Sequence, residues 1–332
     1  MRRIATTAAV WFLLLFLMPV FLVVRPAERP EEEEPSVLPA TPTPARTQAE
    51  PVGEDASTTV RVATETGEVT EMTAADYLWG VVAAEMPASF EPEALKAQAV
   101  TARTYTAWKT GAGENNHPQA DVCTDINCCQ AFVTQEQAMA DWGAEGQAYA
   151  EKIRSAVAQT DGKVIRYGGQ PIQAVFFSSA AGRTEDAVAV WGNAVPYLVG
   201  VDSPEGESVP NYHTEVSFAA QQFKELFLAQ YPGADLSGSP DSWFRNKTMT
   251  ASGRVASMEV GGVAVKGTRL RSIFGLRSTC FSVETADDSV VFYVTGYGHG
   301  VGMSQYGANT LAQQGKTWQE ILKWYFTGVE ID

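Results

Sequence analysis

Glu85 is a glutamate at the end of an apolar helical stripe, a position that favours acid–base chemistry. It lies four residues after Val81 and seven after Leu78, so the three side chains share one face of a helix. A partly desolvated carboxyl group holds its proton more tightly, and it can then donate that proton near neutral pH. The spacing alone leaves a structural ion pair open, for example with Arg103 on the next helix, because such pairs also perturb carboxylates.

A second cluster, in the stretch HPQADVCTDINCCQAF, combines imidazole and thiol groups. His117, Cys123, Cys128 and Cys129 lie close together in a chain that has only four cysteines and three histidines. Thiolate and imidazole suit zinc, although the spacing is not that of a zinc finger. A disulfide is the alternative, and the distant Cys280 would then be either a partner or a lone thiol.

Two further stretches offer polar side chains to a ligand. SSAAGRTED, residues 178–186, combines hydroxyls, an arginine and acids, although hydroxyls in turns more often bond to their own backbone. GYGHGVGMSQYGA, residues 296–308, places His299 and Gln305 among five glycines. Glycines permit unusual backbone angles and close approach, so this stretch suits either the wall of a binding cleft or a tight turn between a strand and a helix.

Helices and hairpins without regular strand–helix alternation must position these residues, and this pattern indicates an α+β fold. The predicted helices are TAADYLWGVVAAEM, a segment from Pro92 to Gly111, a segment from Gly146 to Gln159, SFAAQQFKELFLAQY, and two that start at Ser304 and Thr317. Hairpin turns are predicted at Thr66-Gly67 and Gly168-Gly169, and several short strands between Arg254 and Val294.

The 332 residues suffice for one large or two ordinary domains, and the net charge of -15 argues against a nucleic-acid partner. We predict a cytoplasmic tip and membrane anchor in residues 1–24, a disordered Pro/Glu-rich linker in 25–57, and a folded domain in 58–332. The apolar run over residues 4–24 is long enough to span a bilayer and ends in a poor signal-peptide cleavage site. Positive charge at the tip places the folded domain outside the membrane.

Together these stretches resemble the stage II sporulation protein D family. The resemblance rests, in order along residues 58–332, on DYLWGVVAAEMPASFEPEALKAQAVTARTYT, CCQAF, FFSSAAGRTED, TRLRSIFGLRST and GYGHGVGMSQYGA. It implies a single curved α+β catalytic domain with a long cleft, and the activity of a lytic transglycosylase that cleaves peptidoglycan glycan strands, preferably peptide-stripped, during forespore engulfment. It also implies a place at the cell membrane, on the mother-cell side of the septal intermembrane space, beside a membrane-anchored cell-wall amidase and a polytopic membrane protein.

The resemblance also implies roles for individual residues. The family's catalytic glutamate, in its EMP motif, corresponds to Glu85. Its zinc ligands correspond to His117, Cys123 and Cys129, with Cys128 as the alternative to Cys129, and we expect the zinc to be structural. The residues expected to contact the substrate are Arg103, Tyr105, Ser178, Ser179, Arg183, His299, Gln305 and Tyr306. For Arg103 a second acid is an equally acceptable partner, whereas a direct pair with Glu85 would lower the pKa of that acid.

In the reaction so implied, Glu85 protonates the oxygen between N-acetylmuramic acid and N-acetylglucosamine, and the muramic C6 hydroxyl then closes on C1. One carboxylate suffices for this reaction, whereas a glycoside hydrolase normally needs two. Two other functions remain as alternatives: a zinc-dependent cell-wall hydrolase, and a non-catalytic glycan-binding enhancer of a cell-wall amidase. A related amidase-enhancer group shares the motifs, so a role in general cell-wall turnover stays open.

Overall fold

The structure is a computed structural model that describes residues 53–64, 67–111, 117 and 119–332. The predicted membrane anchor, most of the predicted linker and Thr66 of the first predicted turn lie outside the described residues. Within these described ranges, no helix is both long enough and apolar enough to cross a membrane. The described residues combine helices with small sheets, which is consistent with the predicted α+β class.

Helices dominate the described chain up to residue 191, and strands dominate residues 213–295. The helices are α1 (Glu54–Ser57), α2 (Ala74–Glu85), α3 (Pro92–Gly111), α4 (Gln135–Trp142), α5 (Gly146–Ala158), α6 (Ala187–Trp191), α7 (Ala220–Leu228), α8 (Gly267–Phe274), α9 (Gln305–Gln313) and α10 (Trp318–Tyr325). The strands are β1 (Thr59–Ala63), β2 (Val69–Thr73), β3 (Val122–Cys123), β4 (Ile165–Tyr167), β5 (Gln170–Pro171), β6 (Phe176–Phe177), β7 (His213–Ala219), β8 (Phe244–Met249), β9 (Val255–Val260), β10 (Val263–Lys266), β11 (Phe281–Ala286), β12 (Ser289–Thr295), β13 (Met303–Ser304) and β14 (Glu330–Ile331).

The strands pair into several small sheets. β1 lies between antiparallel β2 and parallel β3, and β4 lies between β5, across the predicted Gly168-Gly169 turn, and the C-terminal β14. β6 and β13 pair in parallel, with Phe176 opposite Met303. This last pairing brings the stretch SSAAGRTED next to the stretch GYGHGVGMSQYGA, although more than a hundred positions separate them in the sequence.

Two hydrophobic cores lie in the described chain. The first packs α2, α3, α5, α9 and α10 around fully buried residues such as Tyr77 and Tyr325. The second lies within residues 213–295, where α7 and α8 pack on the sheets β11-β12-β7 and β10-β9-β8 around Phe223. We call residues 213–295 the inserted lobe, because the chain enters it at His213 and leaves it at Thr295, and these two residues face each other across β7 and β12.

Local capping signals fix the ends of the helices that carry candidate site residues. Thr73 caps α2, Ser304 caps α9 and Thr317 caps α10, each by accepting a hydrogen bond from an N–H group of the first turn, and Thr317 forms a capping box with Glu320. Each such cap contributes about 1 kcal/mol. These starts were predicted from the sequence and are confirmed, as is the helix Pro92–Gly111.

The helix predicted over residues 217–231 is shorter in the structure. Residues 213–219 form β7, which pairs with β12 along its whole length, so α7 covers only Ala220–Leu228. Pairing with a strand about 75 residues away overrides the local helical pattern there. The strands predicted between Arg254 and Val294 are present, but helix α8 between them was not predicted.

The folded part of the chain begins before residue 58, which corrects the predicted end of the linker. Residues 54–57 form α1, whose first N–H groups donate to the carboxylate of Asp161. Asp55 is buried, with 5% of its surface exposed, and its carboxylate accepts hydrogen bonds from Nε and Nη2 of Arg103 in α3. A buried ion pair therefore fastens the first helix to the first core.

Removing the carboxylate of Asp55 is expected to destabilise the folded chain. In Asp55→Asn the buried Arg103 guanidinium loses its anion, and breaking a buried pair in this way costs about 3–5 kcal/mol of unfolding free energy. The exposed pair of Arg154 with Glu151 supplies the control, because Glu151→Gln should change that free energy by less than about 1 kcal/mol. Urea denaturation measures the unfolding free energy of both variants. If Asp55→Asn lost as little unfolding free energy as Glu151→Gln, the stabilising role of Asp55 would be contradicted.

Candidate active site

Glu85 is the last residue of α2 and lies half-buried in a pocket of about 290 Å³. Its Oε1 accepts a hydrogen bond of 2.8 Å from the backbone N–H of Ala131. Burial raises the pKa of Glu85 above its ordinary value, and the bond from Ala131 offsets part of the rise because it stabilises the carboxylate. The other residues that line this pocket are Tyr105, Ile126, Asn127, Cys128, Cys129, Gln130, Val175, Phe176 and His299.

The stretch CCQAF, residues 128–132, reaches Glu85 because it packs very closely on α2. A Cβ atom at Gly80 would lie 2.3 Å from the ring of Phe132, so only glycine permits this approach. The Phe132 ring in turn stacks on Tyr77, with 6.0 Å between the ring centres. A glycine inside a helix weakens the helix by about 1 kcal/mol relative to alanine, and here it permits the contact that brings the Ala131 N–H to the Glu85 carboxylate.

Helix α3 holds the same stretch from the other side. Gln130 is 2% exposed, and its Nε2 lies 3.3 Å from both the Tyr77 hydroxyl and the Thr106 hydroxyl, to which it donates. The hydroxyl of Tyr105 donates a 3.1 Å hydrogen bond to the backbone carbonyl of Cys128. The position of Ala131 is therefore set by two helices as well as by its own backbone.

The histidine and cysteine side chains of the second cluster converge in the structure. The ligand atoms of His117, Cys123, Cys128 and Cys129 all lie within 4.8 Å of one another. Nε2 of His117 is 3.2 Å from Sγ of Cys128 and 3.8 Å from Sγ of Cys129, and these two sulfurs are 3.9 Å apart. Zinc bonds of about 2.0–2.3 Å in a tetrahedron place neighbouring ligand atoms roughly 3.3–3.8 Å apart, so the donor set fits one zinc ion.

This geometry bears on two questions that the sequence leaves open. Cys128 and Cys129 both point at the cluster, so the structure offers four ligands where the sequence predicted three. A disulfide requires sulfurs about 2.05 Å apart, whereas all four cysteines of the chain are free in the structure. The residues therefore fit a metal better than they fit a disulfide.

His299 lines the Glu85 pocket with both ring nitrogens engaged. Its Nδ1 accepts a 3.1 Å hydrogen bond from the N–H of Val301, so Nε2 carries the proton that it donates to the carbonyl of Phe176 at 3.0 Å. Burial lowers the pKa of His299 to about 4, which makes the ring neutral near pH 7. Trp191 packs against this ring at 5.6 Å and is 42% exposed, so it offers an aromatic surface that the sequence did not identify.

Alternate glycines set the path of the segment around His299. The glycines from Gly296 to Gly302 have φ between 75° and 115°, a region that other residues rarely adopt. At Gly302 a Cβ would lie 2.2 Å from the carbonyl oxygen of Val175, so this glycine also permits close approach. The segment then turns into α9, where Nε2 of Gln305 donates a 2.9 Å hydrogen bond to the backbone carbonyl of Glu85. The stretch therefore turns tightly and also places one residue, His299, in the lining of the Glu85 pocket.

The two arginines expected to contact the substrate are engaged elsewhere. Arg103 is buried against Asp55, outside the set of residues that line the Glu85 pocket. Its partner is a second acid, the alternative that the sequence left open for Arg103, and this acid lies in residues predicted to be linker. Arg183 pairs with Asp202 at 2.7 Å and donates to the carbonyl of Gly200, so it fastens two surface loops to each other.

Of the remaining residues expected to contact the substrate, some line the Glu85 pocket and others make contacts elsewhere in the structure. Tyr105 and His299 line the Glu85 pocket, whereas Ser179 is 1% exposed and bridges to Tyr297 through backbone hydrogen bonds. Tyr306 packs edge-on against Phe90, with ring centres 4.9 Å apart. The carbonyl of Ser178 accepts the N–H of Tyr306. These contacts use the backbone of both serines and the ring of Tyr306, while Ser178 and Tyr306 remain half-buried.

The buried His299 is expected to make the protein less stable in acid. The folded pKa of about 4 lies below the unfolded value of about 6.5, so the unfolded chain binds the extra proton and stability falls as the pH drops from about 6.5 to 4. The loss is on the order of 2–3 kcal/mol, and His299→Gln should remove that part of the pH dependence. Urea unfolding across this pH range measures it, and parallel pH curves for the two proteins would contradict the assignment.

Comparison with known proteins identifies the family. The family model described as Stage II sporulation protein (SpoIID) matches residues 62–167, which contain Glu85 and the histidine–cysteine cluster. The chain is 34% identical over 336 residues to stage II sporulation protein D of Bacillus subtilis strain 168, covering 100% of this chain and 96% of the relative. The chain is 38% identical over 257 residues to stage II sporulation protein D of Bacillus amyloliquefaciens, and the match covers 77% of this chain and 73% of that relative. A relative named amidase enhancer, from Bacillus subtilis strain 168, is 30% identical over 305 residues, which cover 76% of this chain and 40% of that protein. The chain belongs to the stage II sporulation protein D family.

Proposed function

We propose that this protein is a lytic transglycosylase of peptidoglycan, with Glu85 as its proton carrier. The observation that carries the proposal is the composition of the pocket: among the described residues that line it, Glu85 is the one carboxylate. Retaining and inverting glycoside hydrolases normally use two carboxyl groups about 5–9.5 Å apart. An intramolecular reaction needs only one, because the attacking hydroxyl belongs to the substrate itself.

The environment of Glu85 suits both halves of this reaction. The protonated carboxyl group donates to the glycosidic oxygen of an N-acetylmuramic acid unit, and the bond from that oxygen to C1 breaks. The C6 hydroxyl of the same unit then bonds to C1 and gives its proton to Glu85, so the product is a 1,6-anhydro end and no water is consumed. Burial favours the protonated acid before the reaction, and the Ala131 N–H stabilises the carboxylate that forms within it.

Structural zinc is the second part of the proposal. The candidate ligands are His117, Cys123, Cys128 and Cys129. Four protein ligands form a closed set typical of structural zinc, whereas a catalytic site keeps a position for water. This donor set therefore supports a stabilising role for zinc over the zinc-hydrolase alternative. Bound there, the metal would hold the loop that precedes Ala131.

The setting of the reaction belongs to the same proposal. The apolar run of residues 4–24 would anchor the chain, and the catalytic domain would act outside the cell membrane during forespore engulfment. The substrate would be peptide-stripped strands supplied by a membrane-anchored amidase, with a polytopic membrane protein as a further partner. The relative named amidase enhancer supports the link to an amidase, and it also supports the second candidate function, a non-catalytic module that helps such an enzyme.

Glu85→Gln is expected to abolish strand cleavage while it preserves the fold. The amide keeps the shape of the side chain but cannot donate the proton, so the rate should fall by about 10²–10⁴. Glu136→Gln makes the same chemical change at an exposed position of α4 and should keep the wild-type rate. Mass spectrometry of the products from peptide-free strands gives the readout.

The products separate the candidate functions. Anhydromuramic ends support the transglycosylase, reducing ends would indicate a hydrolase, and intact strands would indicate a binding module. Because the acid must be protonated, wild-type activity should fall as the pH rises through the raised pKa of Glu85. Wild-type rates in Glu85→Gln would contradict the proposed role of this residue.

Cys128→Ser is expected to lower both zinc affinity and melting temperature. Loss of one of four ligands should weaken zinc binding by about tenfold or more, and zinc that binds only the folded chain stabilises it by mass action. Cys280→Ser removes a half-buried thiol in the inserted lobe and should leave the zinc content unchanged. Zinc content and thermal melting, measured together during a zinc titration, test this. Unchanged affinity in Cys128→Ser would leave a three-ligand site.

A further inference from the structure

The stretch TRLRSIFGLRST lies outside the Glu85 pocket. Its residues form α8 and the turn that follows, and they border an open groove of about 420 Å³. The residues that line this groove are Thr268, Arg271, Ser272, Gly275, Leu276, Arg277 and Tyr297. We call it the arginine groove.

Two guanidinium groups line the arginine groove without a carboxylate to neutralise them. Within the described chain neither Arg271 nor Arg277 forms an ion pair, and every lining residue is neutral or basic. Arg271 uses its Nε to donate to the carbonyl of Leu276 at 3.1 Å. Arg277 lies over the ring of Tyr297, with its Cζ 4.0 Å from the ring centre. The groove therefore presents local positive charge on a protein of net charge -15.

The arginine groove and the Glu85 pocket are joined by a very short piece of chain. Tyr297 lines the groove and His299 lines the pocket. Between them, the N–H of Gly298 donates a 2.9 Å hydrogen bond to the carbonyl of Arg277, so the glycine segment is bound to the turn that carries this arginine. A linear polymer that leaves the pocket along this segment therefore meets the arginines.

We propose that the arginine groove is a subsite for the carboxylate of a peptide-free muramic acid unit, an inference that rests on the proposed function. In a stripped strand every second sugar carries a lactyl ether that ends in a carboxylate. While the stem peptide is attached, that carboxyl group is an uncharged amide.

The chemistry of the groove distinguishes these two states. Guanidinium groups bind carboxylates through charge-assisted, paired hydrogen bonds that a neutral amide cannot match. Tyr297 is 43% exposed and offers an aromatic face to the carbons of the sugar ring. The subsite therefore selects stripped strands by their charge, at a distance from the bond that Glu85 cleaves.

The test compares two substrates that differ only in this carboxyl group. Peptide-free strands are used as they are, or with their lactyl carboxyl groups converted to primary amides, and kcat/KM is measured for each. The wild type should prefer the acidic strands. In the double variant Arg271→Gln/Arg277→Gln, kcat/KM for the acidic strands should fall by about tenfold or more and that for the amidated strands should change little.

Matched variants separate charge recognition from damage to the fold. Arg269→Gln removes an exposed arginine from the same helix, one that contacts Gln230, and should keep the wild-type ratio. Arg271→Lys/Arg277→Lys keeps the positive charges and should retain more of the preference than the glutamine pair does. Circular dichroism and melting show whether each variant is folded. If the folded glutamine variant keeps the wild-type ratio of kcat/KM on acidic strands to kcat/KM on amidated strands, the proposal is overturned.

Two further measurements show which carboxylate the groove binds and test the groove separately from the proposed cleavage reaction. Strands with intact stem peptides carry carboxylates only on the peptides. If kcat/KM of the double glutamine variant fell as much on these strands as on the peptide-free strands, the assignment to the lactyl carboxylate would be overturned. Equilibrium binding of labelled acidic and amidated strands by Glu85→Gln tests the groove without cleavage. If the wild type cleaves no strand, the transglycosylase proposal fails, whereas a binding preference that depends on the arginines would still support the subsite.

Discussion

The close approach of the CCQAF stretch to helix α2 at Gly80 is the contact on which the candidate site depends. It brings the Ala131 N–H within 2.8 Å of the Glu85 carboxylate, and the same short stretch carries two of the four candidate metal ligands. The histidine–cysteine cluster and the Glu85 carboxylate are therefore linked through a few residues of backbone. The C-terminal part of the chain holds Glu85 from the other side, because Gln305 bonds to its backbone carbonyl. Glu85 is therefore held by residues that precede and follow the inserted lobe in the sequence.

The sequence predicts best what local interactions determine. Helix starts at Thr73, Ser304 and Thr317 follow from caps within one turn, and the structure confirms them. Strand β7 could not be predicted in the same way, because its partner β12 lies far along the chain and pairing with it overrides a helical pattern.

The same difference between local and distant interactions applies to the residues of the candidate site. The histidine–cysteine cluster is recognisable because residue type reveals it within a short stretch. For Glu85, helical spacing alone left a structural ion pair open, and the expected catalytic role came from the resemblance to the family. For Arg103 the sequence left the substrate and a second acid open, and it could not identify Asp55 as that acid, because Asp55 lies about 50 residues away in a segment that resembles a linker by composition. Trp191 gave no signal at all, since its position beside His299 arises only from tertiary packing.

The inserted lobe joins the first core through two neighbouring strand ends, His213 and Thr295. Segments whose ends lie side by side can be lengthened, shortened or exchanged during evolution without opening the core to which they are attached. The lobe also carries both arginines of the arginine groove, whereas Glu85 lies in the first core. Divergence within the lobe can therefore change the arginine groove while the residues that hold the Glu85 carboxylate in the first core stay the same.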